Sequence, residues 1–98
     1  MKYGGCVYIM GNRSHSVLYI GVTSDLPARI TAHRDKKYPN SFSAKYNCNK
    51  LFYYEIFARI EEAITREKQL KKWKREWKEK LIGEMNPGWI DLYESLWT

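Results

Sequence analysis

The chain has 98 residues, a hydrophobic content of 44% and a formal net charge of +6, which favours a polyanionic partner. A chain of this length supports one domain, and its hydrophobic content excludes wholesale disorder. No apolar run is long enough to span a membrane and the N-terminus lacks a signal-peptide pattern, so we expect a soluble cytoplasmic protein without membrane association. Cys6 and Cys48 lack the spacing of metal ligands and are expected to be free thiols.

A β-hairpin is predicted in residues 6–22, where two apolar runs flank the polar residues 11–16. Both runs alternate side-chain faces with a period of two, as strands do. If Met10 pairs with Val17 across the turn, one face of the hairpin is wholly aliphatic. This face comprises Val7, Ile9, Leu18, Ile20 and Val22.

The other face of the hairpin carries two tyrosines. The same pairing places Tyr8 directly opposite Tyr19, and Gly21 opposite Cys6. Aromatic residues are common in sheets, so ordinary packing accounts for both tyrosines. Glycine inside a strand often marks the close approach of a ligand or another backbone, so a functional role for this face stays open.

A first helix is predicted to begin after residues 23–25, which offer hydroxyl and carboxylate caps, and to run to about Lys37. Pro27 suits its first turn. Arg29 and His33 are four residues apart and therefore stand on one face of this helix. Such a pair is often only surface, but its short distance along the chain from the tyrosine strand favours a functional role. The apolar stripe of the helix consists of Leu26 and Ile30.

A long loop is predicted over residues 36–49, which are rich in turn-forming residues and show no clear period. Lys45 and Tyr46 are candidates for contacting nucleic acid by charge and stacking. The alternative is that Phe42 and Tyr46 anchor the loop to the core. A third strand is predicted at Lys50–Phe57, whose residues are aromatic and β-branched.

A helical stretch is predicted over residues 60–82, with a bend or break near residues 71–74. Glu67 falls near the centre of its apolar stripe. A carboxylate in that position is costly unless it is paired or bound to a metal. An ion pair with Arg29 or a nearby lysine and a metal site are equally compatible with it. The other members of the stripe are Ile60, Ala63, Ile64, Leu70 and Leu81.

Basic residues are concentrated in residues 66–80, which contain eight Lys or Arg against three Glu. A charge run on a helix is usually a solvated face, whereas the functional interpretation is contact with a phosphate backbone. The candidate nucleic-acid-binding residues are Lys45, Lys68, Lys71, Lys72, Lys74 and Arg75. After this stretch, Asn86 is expected to end the helix, and residues 90–97 are predicted to form a short closing helix. The side chains expected to pack inward from it are Leu92, Leu96 and Trp97.

Hydrolysis of a phosphodiester requires a deprotonated water, a cation that neutralises developing charge and help for the leaving oxygen. Glu67 suits one hard divalent ion whose remaining ligands are water and phosphate, and Arg29 can fork onto a phosphate. An ordinary phenol has a pKa of about 10, but neighbouring cations favour its phenolate form. The metal, Arg29 and His33 are such cations and are expected to lower the pKa of a catalytic tyrosine.

At these positions the chain closely resembles the GIY-YIG nuclease superfamily. The resemblance covers nearly the whole chain and is strongest to small stand-alone bacterial members, the UPF0213 group, which are related to the N-terminal nuclease domain of the excision-repair protein UvrC. Cys6 replaces the initial glycine of the family motif, which we interpret as a variation in backbone packing. The positions that carry the resemblance are Cys6-Val7-Tyr8, Tyr19-Ile20-Gly21, Arg29, His33, Glu67 and Asn86-Pro87-Gly88-Trp89.

The resemblance implies a metal-dependent endonuclease that acts on DNA, in repair or recombination. Tyr8 is implied to deprotonate the attacking water, with Tyr19 and His33 supporting the proton transfer. Arg29 is implied to bind the scissile phosphate, and Glu67 to hold one Mg²⁺ or Mn²⁺ ion. The full implied catalytic set is Tyr8, Tyr19, Arg29, His33, Glu67 and Asn86.

The implied fold is of the α+β class, with a three-stranded antiparallel sheet flanked by helices in the order β-β-α-β-α-α. One nuclease domain is expected over residues 1–98. Two other interpretations remain open, namely a noncatalytic nucleic-acid-binding module that keeps the fold and an interaction subunit whose exposed tryptophans dock a partner nuclease. A protein partner that targets the nuclease is compatible with all three.

Overall fold

A computed structural model describes residues 4–97, so the prediction of one domain over residues 1–98 extends beyond the described residues at both ends. Its sheet has three antiparallel strands in the spatial order β2-β1-β3. The strands are β1 (Gly5–Gly11), β2 (Leu18–Thr23) and β3 (Lys50–Phe57). The helices are α1 (Leu26–Arg34), α2 (Phe42–Lys45), α3 (Ile60–Lys71), α4 (Arg75–Met85) and a final 3₁₀ helix (Glu94–Trp97).

The α+β class and the order β-β-α-β-α-α are confirmed, and the third strand has the predicted bounds. Both cysteines are free, as expected, and both are buried. Within residues 4–97 no helix combines the length and the apolar character that crossing a membrane requires.

The central strand β1 is buried on both of its faces. On one face, which we call the aliphatic face, it packs with residues of α3 and α4. On the other, the tyrosine face, it packs with α1. The aliphatic face joins Val7, Ile9 and Ile20 to Ala63, Leu70 and Ile82. The tyrosine face joins Cys6, Tyr8 and Met10 to Leu26 and Ile30.

The register of the hairpin differs from the predicted one by two residues. Tyr8 lies opposite Gly21, and Tyr19 lies opposite Met10. The loop over residues 12–17 fixes this register, because the Asn12 side chain accepts a hydrogen bond of 3.1 Å from the Val17 amide. A slip of two leaves every side chain on its predicted face, so the aliphatic face is confirmed while the direct pairing of the two tyrosines is wrong.

The ring of Tyr8 packs against Gly21, in the space that a side chain at this position would occupy. A Cβ atom added to Gly21 would overlap the hydroxyl oxygen and the Cζ atom of Tyr8. We therefore expect Gly21→Ala to lower the free energy of unfolding by about 1–3 kcal/mol, as overpacking does in cores. Gly83 of α4 provides the control, because no atom lies within 4 Å of an added Cβ there.

Gly83→Ala is expected to raise the free energy of unfolding by about 0.5–1 kcal/mol, since alanine is the better helix former. Urea denaturation of the two variants measures both effects. Equal changes in the two variants would contradict this account of the hairpin.

Two helix predictions before β3 need correction. The first helix ends at Arg34 and not near Lys37, because Asp35 caps it and Lys36 follows with a φ of 51°. The predicted loop over residues 36–49 contains the four-residue helix α2. Ser41 starts α2 by accepting a hydrogen bond from the Ala44 amide at 3.3 Å.

The predicted break in the long helical stretch is confirmed, because α3 ends at Lys71 and α4 begins at Arg75. Ala63 and Leu70 of the predicted stripe are buried, whereas Ile64 is exposed. The placement of Ile64 on the stripe is therefore wrong. A single helical wheel over residues 60–82 averages two helices with different axes and displaces the stripe of each.

The C-terminal strap, residues 86–97, is mostly irregular, and only its last four residues form a 3₁₀ helix, so the predicted helix over residues 90–97 is wrong. The Leu92 amide donates to the Leu51 carbonyl at 2.7 Å and thereby covers the outer edge of β3. Leu92 and Leu96 pack against the tyrosine-face cluster, as predicted. Trp97 is 59% exposed and does not pack inward.

Asp91 is the main polar anchor of the C-terminal strap. One carboxylate oxygen accepts from the Leu51 amide at 3.0 Å, and the other accepts from Arg34 Nη1 at 2.7 Å. Leu51 belongs to β3 and Arg34 to α1. The strap therefore fastens the helix that carries Arg29 and His33 to the sheet.

Candidate active site

Tyr8 lies at the centre of the tyrosine face and is 0% exposed. Its hydroxyl is 2.8 Å from Nε2 of His33. Burial raises the pKa of Tyr8 well above that of a free phenol, the neighbouring Tyr19 raises it further, and Arg29 opposes the shift. Arg29 alone does not produce the expected lowering of the Tyr8 pKa, because desolvation outweighs this one cation.

His33 sits one turn after Arg29 on α1, with its ring between the tyrosine face and α2. Nε2 meets Tyr8, and Nδ1 lies 2.7 Å from Oγ of Ser43. Burial, followed by the positive charge of Arg29, lowers the pKa of His33 below its usual 6.5. His33 is therefore neutral near pH 7, which corrects its expected role as a cation.

The lowered pKa of His33 predicts that the protein loses stability in acid. Below pH 6.5, the ordinary pKa of histidine, the unfolded chain binds a proton at this residue that the folded chain resists. The contribution of His33 to the free energy of unfolding is fully present above pH 6.5 and decreases as the pH falls below that value. Urea denaturation at a series of pH values from above 6.5 into acid measures this effect. The free energy of unfolding is expected to depend less on pH in His33→Gln than in wild type, and His15 is present in both proteins. An identical dependence would assign the effect elsewhere.

Tyr19 belongs to the edge strand β2 and is partly exposed. Its ring centroid is 6.3 Å from that of Tyr8 and 5.3 Å from that of His33. On its outer side it stacks on Phe42 of α2 at 6.2 Å, with 25° between the ring planes. Of the two tyrosines, Tyr19 is thus the one that reaches solvent.

Arg29 is exposed on α1. Its positive charge opposes the raised pKa of Tyr8 and adds to the lowered pKa of His33. An exposed guanidinium beside a buried phenol and a neutral imidazole is suited to receive an anionic group from solvent.

Glu67 forms its ion pair with Lys71 and, among the described residues, makes no hydrogen bond or ion pair with the tyrosines, Arg29 or His33. It lies on α3, which packs on the aliphatic face against β1 and β2. Its side chain is 15% exposed and its carboxylate is 3.2 Å from Nζ of Lys71, whose side chain is 54% exposed. The ion pair with a nearby lysine is thus present, and among the described residues no three His, Cys, Asp or Glu side chains form a metal cluster.

The donor chemistry of Glu67 fits one hard divalent cation. Mg²⁺ is commonly bound in proteins through one or two carboxylates, with water and substrate phosphate completing its shell. Glu67 supplies one mostly buried carboxylate, and the side chain of its partner Lys71 is largely exposed to solvent. A second carboxylate is not needed for such a site.

Comparison with known proteins identifies the family. A family model described as the GIY-YIG catalytic domain matches residues 4–80. The chain belongs to the GIY-YIG family. This membership indicates a nuclease-type enzyme whose substrate is a nucleic acid.

Several bacterial proteins resemble this GIY-YIG chain over much of its length. The UPF0213 protein of Streptococcus pneumoniae serotype 4 (strain ATCC BAA-334 / TIGR4) is 32% identical over 98 residues, covering 99% of this chain and 97% of the relative. The UPF0213 protein SH2523 of Staphylococcus haemolyticus (strain JCSC1435) is 37% identical over 82 residues, covering 80% and 93%. The UPF0213 protein of Bacillus pumilus (strain SAFR-032) is 38% identical over 72 residues, covering 69% and 68%. No solved structure matches the chain significantly.

Asn86, the last residue of the implied catalytic set, is a structural anchor in this GIY-YIG domain. It is buried where α4 ends, and its amide nitrogen donates to the carbonyls of Phe52 at 3.1 Å and Ile90 at 2.8 Å. Its side-chain oxygen accepts from the Ile90 amide at 3.1 Å. Its predicted role in helix termination is confirmed, and a catalytic role stays a prediction.

The candidate nucleic-acid-binding residues lie on two surfaces of the GIY-YIG domain. Lys45 is exposed on α2, beside the tyrosine face, with its ammonium 5.9 Å from the centre of the Tyr46 ring. Lys68 and Lys72 line an open cleft with Trp73 and Trp77. The remaining three are also exposed on or near α3 and α4, namely Lys71, Lys74 and Arg75.

Arg75 is already engaged within the domain. It pairs with Glu79 at 2.9 Å and donates to the hairpin carbonyls of His15 and Ser16. Fastening the hairpin to α4 is therefore its structural role. The contacts of all six residues with nucleic acid stay predictions.

Sequence analysis missed Ser43, which touches His33 from α2. A serine in a polar loop carries no pattern that points to a histidine ten positions earlier. The only available signal was Ser41, whose hydroxyl could have been recognised as a helix cap three residues before Ala44. A prediction of α2 would have identified residues 42–45 as candidates for the site.

Proposed function

We propose that this chain is an endonuclease that depends on one divalent metal ion and hydrolyses DNA phosphodiester bonds with tyrosine as the base. The observation that carries the proposal is the 2.8 Å contact between the Tyr8 hydroxyl and the neutral His33, directly behind the partly exposed Tyr19. A neutral imidazole at the inner end of two phenols is an acceptor ready for a proton that enters at the outer end.

The proton of the attacking water is proposed to enter at Tyr19. The Tyr19 hydroxyl takes this proton as it gives its own to the Tyr8 oxygen, and Tyr8 gives its proton to Nε2 of His33. The proximity of the two phenols supports this path, since their ring centroids are 6.3 Å apart and Tyr19 raises the pKa of Tyr8. The burial of Tyr8 argues against the earlier expectation that Tyr8 touches the water itself.

Arg29 is proposed to bind the scissile phosphate. Its exposed guanidinium can donate two parallel hydrogen bonds to phosphate oxygens and neutralise charge that develops during attack. Its effect on the pKa values of Tyr8 and His33 supports a phosphate position next to the phenols.

Glu67 is proposed to hold one Mg²⁺ or Mn²⁺ ion, which when bound stabilises negative charge on the phosphate. For Glu67 and Tyr19 to serve one phosphate, both must approach it at the edge of β2. Tyr19 lies on that strand, and α3 packs against it. Release of Lys71 from the carboxylate is the rearrangement that this step requires.

The neighbouring α2 surface is proposed to contact the nucleic acid. Phe42 and Tyr46 are both exposed, and their ring centroids are 4.7 Å apart with the rings tilted by 44°, so a row of aromatic rings that starts at Tyr19 continues outward across α2. Residues 36–49 contain three lysines and no acidic residue. Aromatic rings beside positive charge favour nucleobases and their phosphates.

Plasmid nicking with Mg²⁺ or Mn²⁺ tests the proposed function. Wild type is expected to cut only with the metal, whereas Glu67→Ala and Arg29→Ala are expected to be severely impaired. Glu84→Ala removes an exposed carboxylate from α4 and serves as the matched control with wild-type activity. Equal rates in all four proteins, or no cutting by any of them, would overturn the proposal.

A noncatalytic nucleic-acid-binding module is the second candidate. The ion pair between Glu67 and Lys71 favours it, because it satisfies the inward-facing carboxylate without a metal. This function predicts salt-sensitive DNA binding that survives Glu67→Ala, without metal-dependent cutting. The same set of variants therefore separates the two functions.

A further inference from the structure

The two ring nitrogens of His33 each face a hydroxyl group. Nε2 is 2.8 Å from the Tyr8 oxygen, and Nδ1 is 2.7 Å from Oγ of Ser43. Ser43 is 3% exposed, so water does not compete freely for its hydroxyl. The ring is therefore held between one partner from β1 and one from α2.

A neutral imidazole carries one proton, so one of its nitrogens donates and the other accepts. If the proton is on Nδ1, His33 donates to Ser43, and Nε2 accepts from the Tyr8 hydroxyl. If the proton is on Nε2, His33 donates to Tyr8 and has no lone pair there to receive a proton. Only the first tautomer can accept the proton that the proposed function delivers.

The hydrogen bonds around Ser43 accommodate the first tautomer. Oγ of Ser41 lies 3.3 Å from Oγ of Ser43 and offers an acceptor for the Ser43 proton. Ser41 itself accepts from the Ala44 amide, which can only donate. With its proton directed at Ser41, Ser43 presents a lone pair to Nδ1 of His33.

We propose that Ser43 is a positioning residue that holds His33 with its proton on Nδ1, so that Nε2 receives the proton of Tyr8. The proposal rests on the proposed function for its catalytic meaning. Once His33 is protonated, both of its N–H groups have acceptors, the Tyr8 oxygen and Ser43 Oγ. Ser43 thus supports the imidazole before and after the transfer, although it touches neither water nor phosphate.

Nitrogen NMR of histidine-labelled protein tests the tautomer without any cleavage assay. The chain has two histidines, so the spectrum of His33→Gln assigns the signals of His33. At a pH well above the ordinary histidine pKa of about 6.5, wild type is expected to carry the proton on Nδ1. A proton on Nε2 in wild type would overturn the proposal.

Two serine variants separate a specific role from general stability. Ser43→Ala is expected to shift the His33 proton toward Nε2. Ser41→Ala removes the cap of α2 but keeps the hydroxyl that meets His33, so its tautomer is expected to be that of wild type. The same tautomer in Ser43→Ala and wild type, or the same shift in both variants, would contradict the assignment.

Cleavage rates complete the test. Ser43→Ala is expected to lower kcat by about tenfold or more, up to the roughly 10²–10⁴-fold that general base catalysis contributes. Ser43→Thr keeps the hydroxyl and is expected to restore both the tautomer and the rate. Loss of rate in Ser43→Ala with an unchanged tautomer would overturn the proposal. If wild type cuts no DNA, the proposed function fails, whereas the NMR result still decides the role of Ser43.

Discussion

Tyr19→Phe is expected to lower the rate of DNA cleavage by about 10²–10⁴-fold, the usual contribution of a general base. Tyr19 is the phenol that faces solvent, and Tyr8 behind it is fully buried. Without the Tyr19 hydroxyl the attacking water has no direct partner, so the defect is expected to persist at every pH. Single-turnover cleavage of a labelled oligonucleotide measures this rate without interference from product release.

Tyr8→Phe is expected to behave differently as the pH changes. This substitution removes the link between Tyr19 and His33, so Tyr19 must lose its proton to solvent. A higher pH favours that loss, and the defect of Tyr8→Phe is expected to shrink as the pH rises. A defect that shrinks for Tyr19→Phe but not for Tyr8→Phe would restore Tyr8 as the direct base.

Tyr54→Phe is the matched control for both tyrosine variants. Tyr54 lies on β3 opposite Tyr8 and packs, partly buried, against the same cluster. Tyr54→Phe removes one phenol hydroxyl, as Tyr8→Phe and Tyr19→Phe do, but Tyr54 does not belong to the proposed proton path. Activity close to that of wild type is expected, and a comparable loss would show that the tyrosine face responds to any lost phenol oxygen.

Glu67→Gln is expected to lower metal-dependent cleavage by about 10³-fold, since metal stabilisation of phosphate charge is worth several kcal/mol and each 1.36 kcal/mol changes a rate tenfold. Glutamine keeps the size of the side chain and removes its charge. The described residues contain no metal cluster that could substitute for it. Cleavage measured over a series of Mg²⁺ concentrations separates weaker metal binding from slower chemistry.

Lys71→Met is expected to act in the opposite direction. It removes the ammonium that is 3.2 Å from the Glu67 carboxylate and leaves an unbranched side chain of similar length. A freed carboxylate is expected to lower the Mg²⁺ concentration needed for half-maximal cleavage. An unchanged requirement for Mg²⁺ in both Lys71→Met and Glu67→Gln would exclude Glu67 as the metal ligand.

The parts of the fold that sequence analysis predicted are those set by local patterns. The aromatic and β-branched residues of Lys50–Phe57 mark a strand, and the apolar spacing of Leu26 and Ile30 marks a helix that buries one face. The hairpin register was not predictable in this way, because a slip of two residues preserves every face. What decides it is three-dimensional contact, namely the hydrogen bond between the Asn12 side chain and the Val17 amide in the loop and the fit of the Tyr8 ring over Gly21.

The chemistry of the site was harder to predict than its composition. Sequence analysis placed Arg29 and His33 near the tyrosines and counted both as cations. The sign of the effect on Tyr8 depends on burial, which raises its pKa and lowers that of His33. How far each group is desolvated follows from three-dimensional packing and not from spacing along the chain.

The anchoring role of Asp91 bears on where this enzyme can be shortened. The family match ends at residue 80, whereas the bonds from Asp91 to Leu51 and Arg34 come from beyond it. A chain cut at that boundary retains each proposed proton carrier and ligand but leaves an edge amide of β3 unpaired and α1 unfastened. The shortest chain that holds the reacting groups in place must therefore extend beyond residues 4–80, the segment that the family model matches.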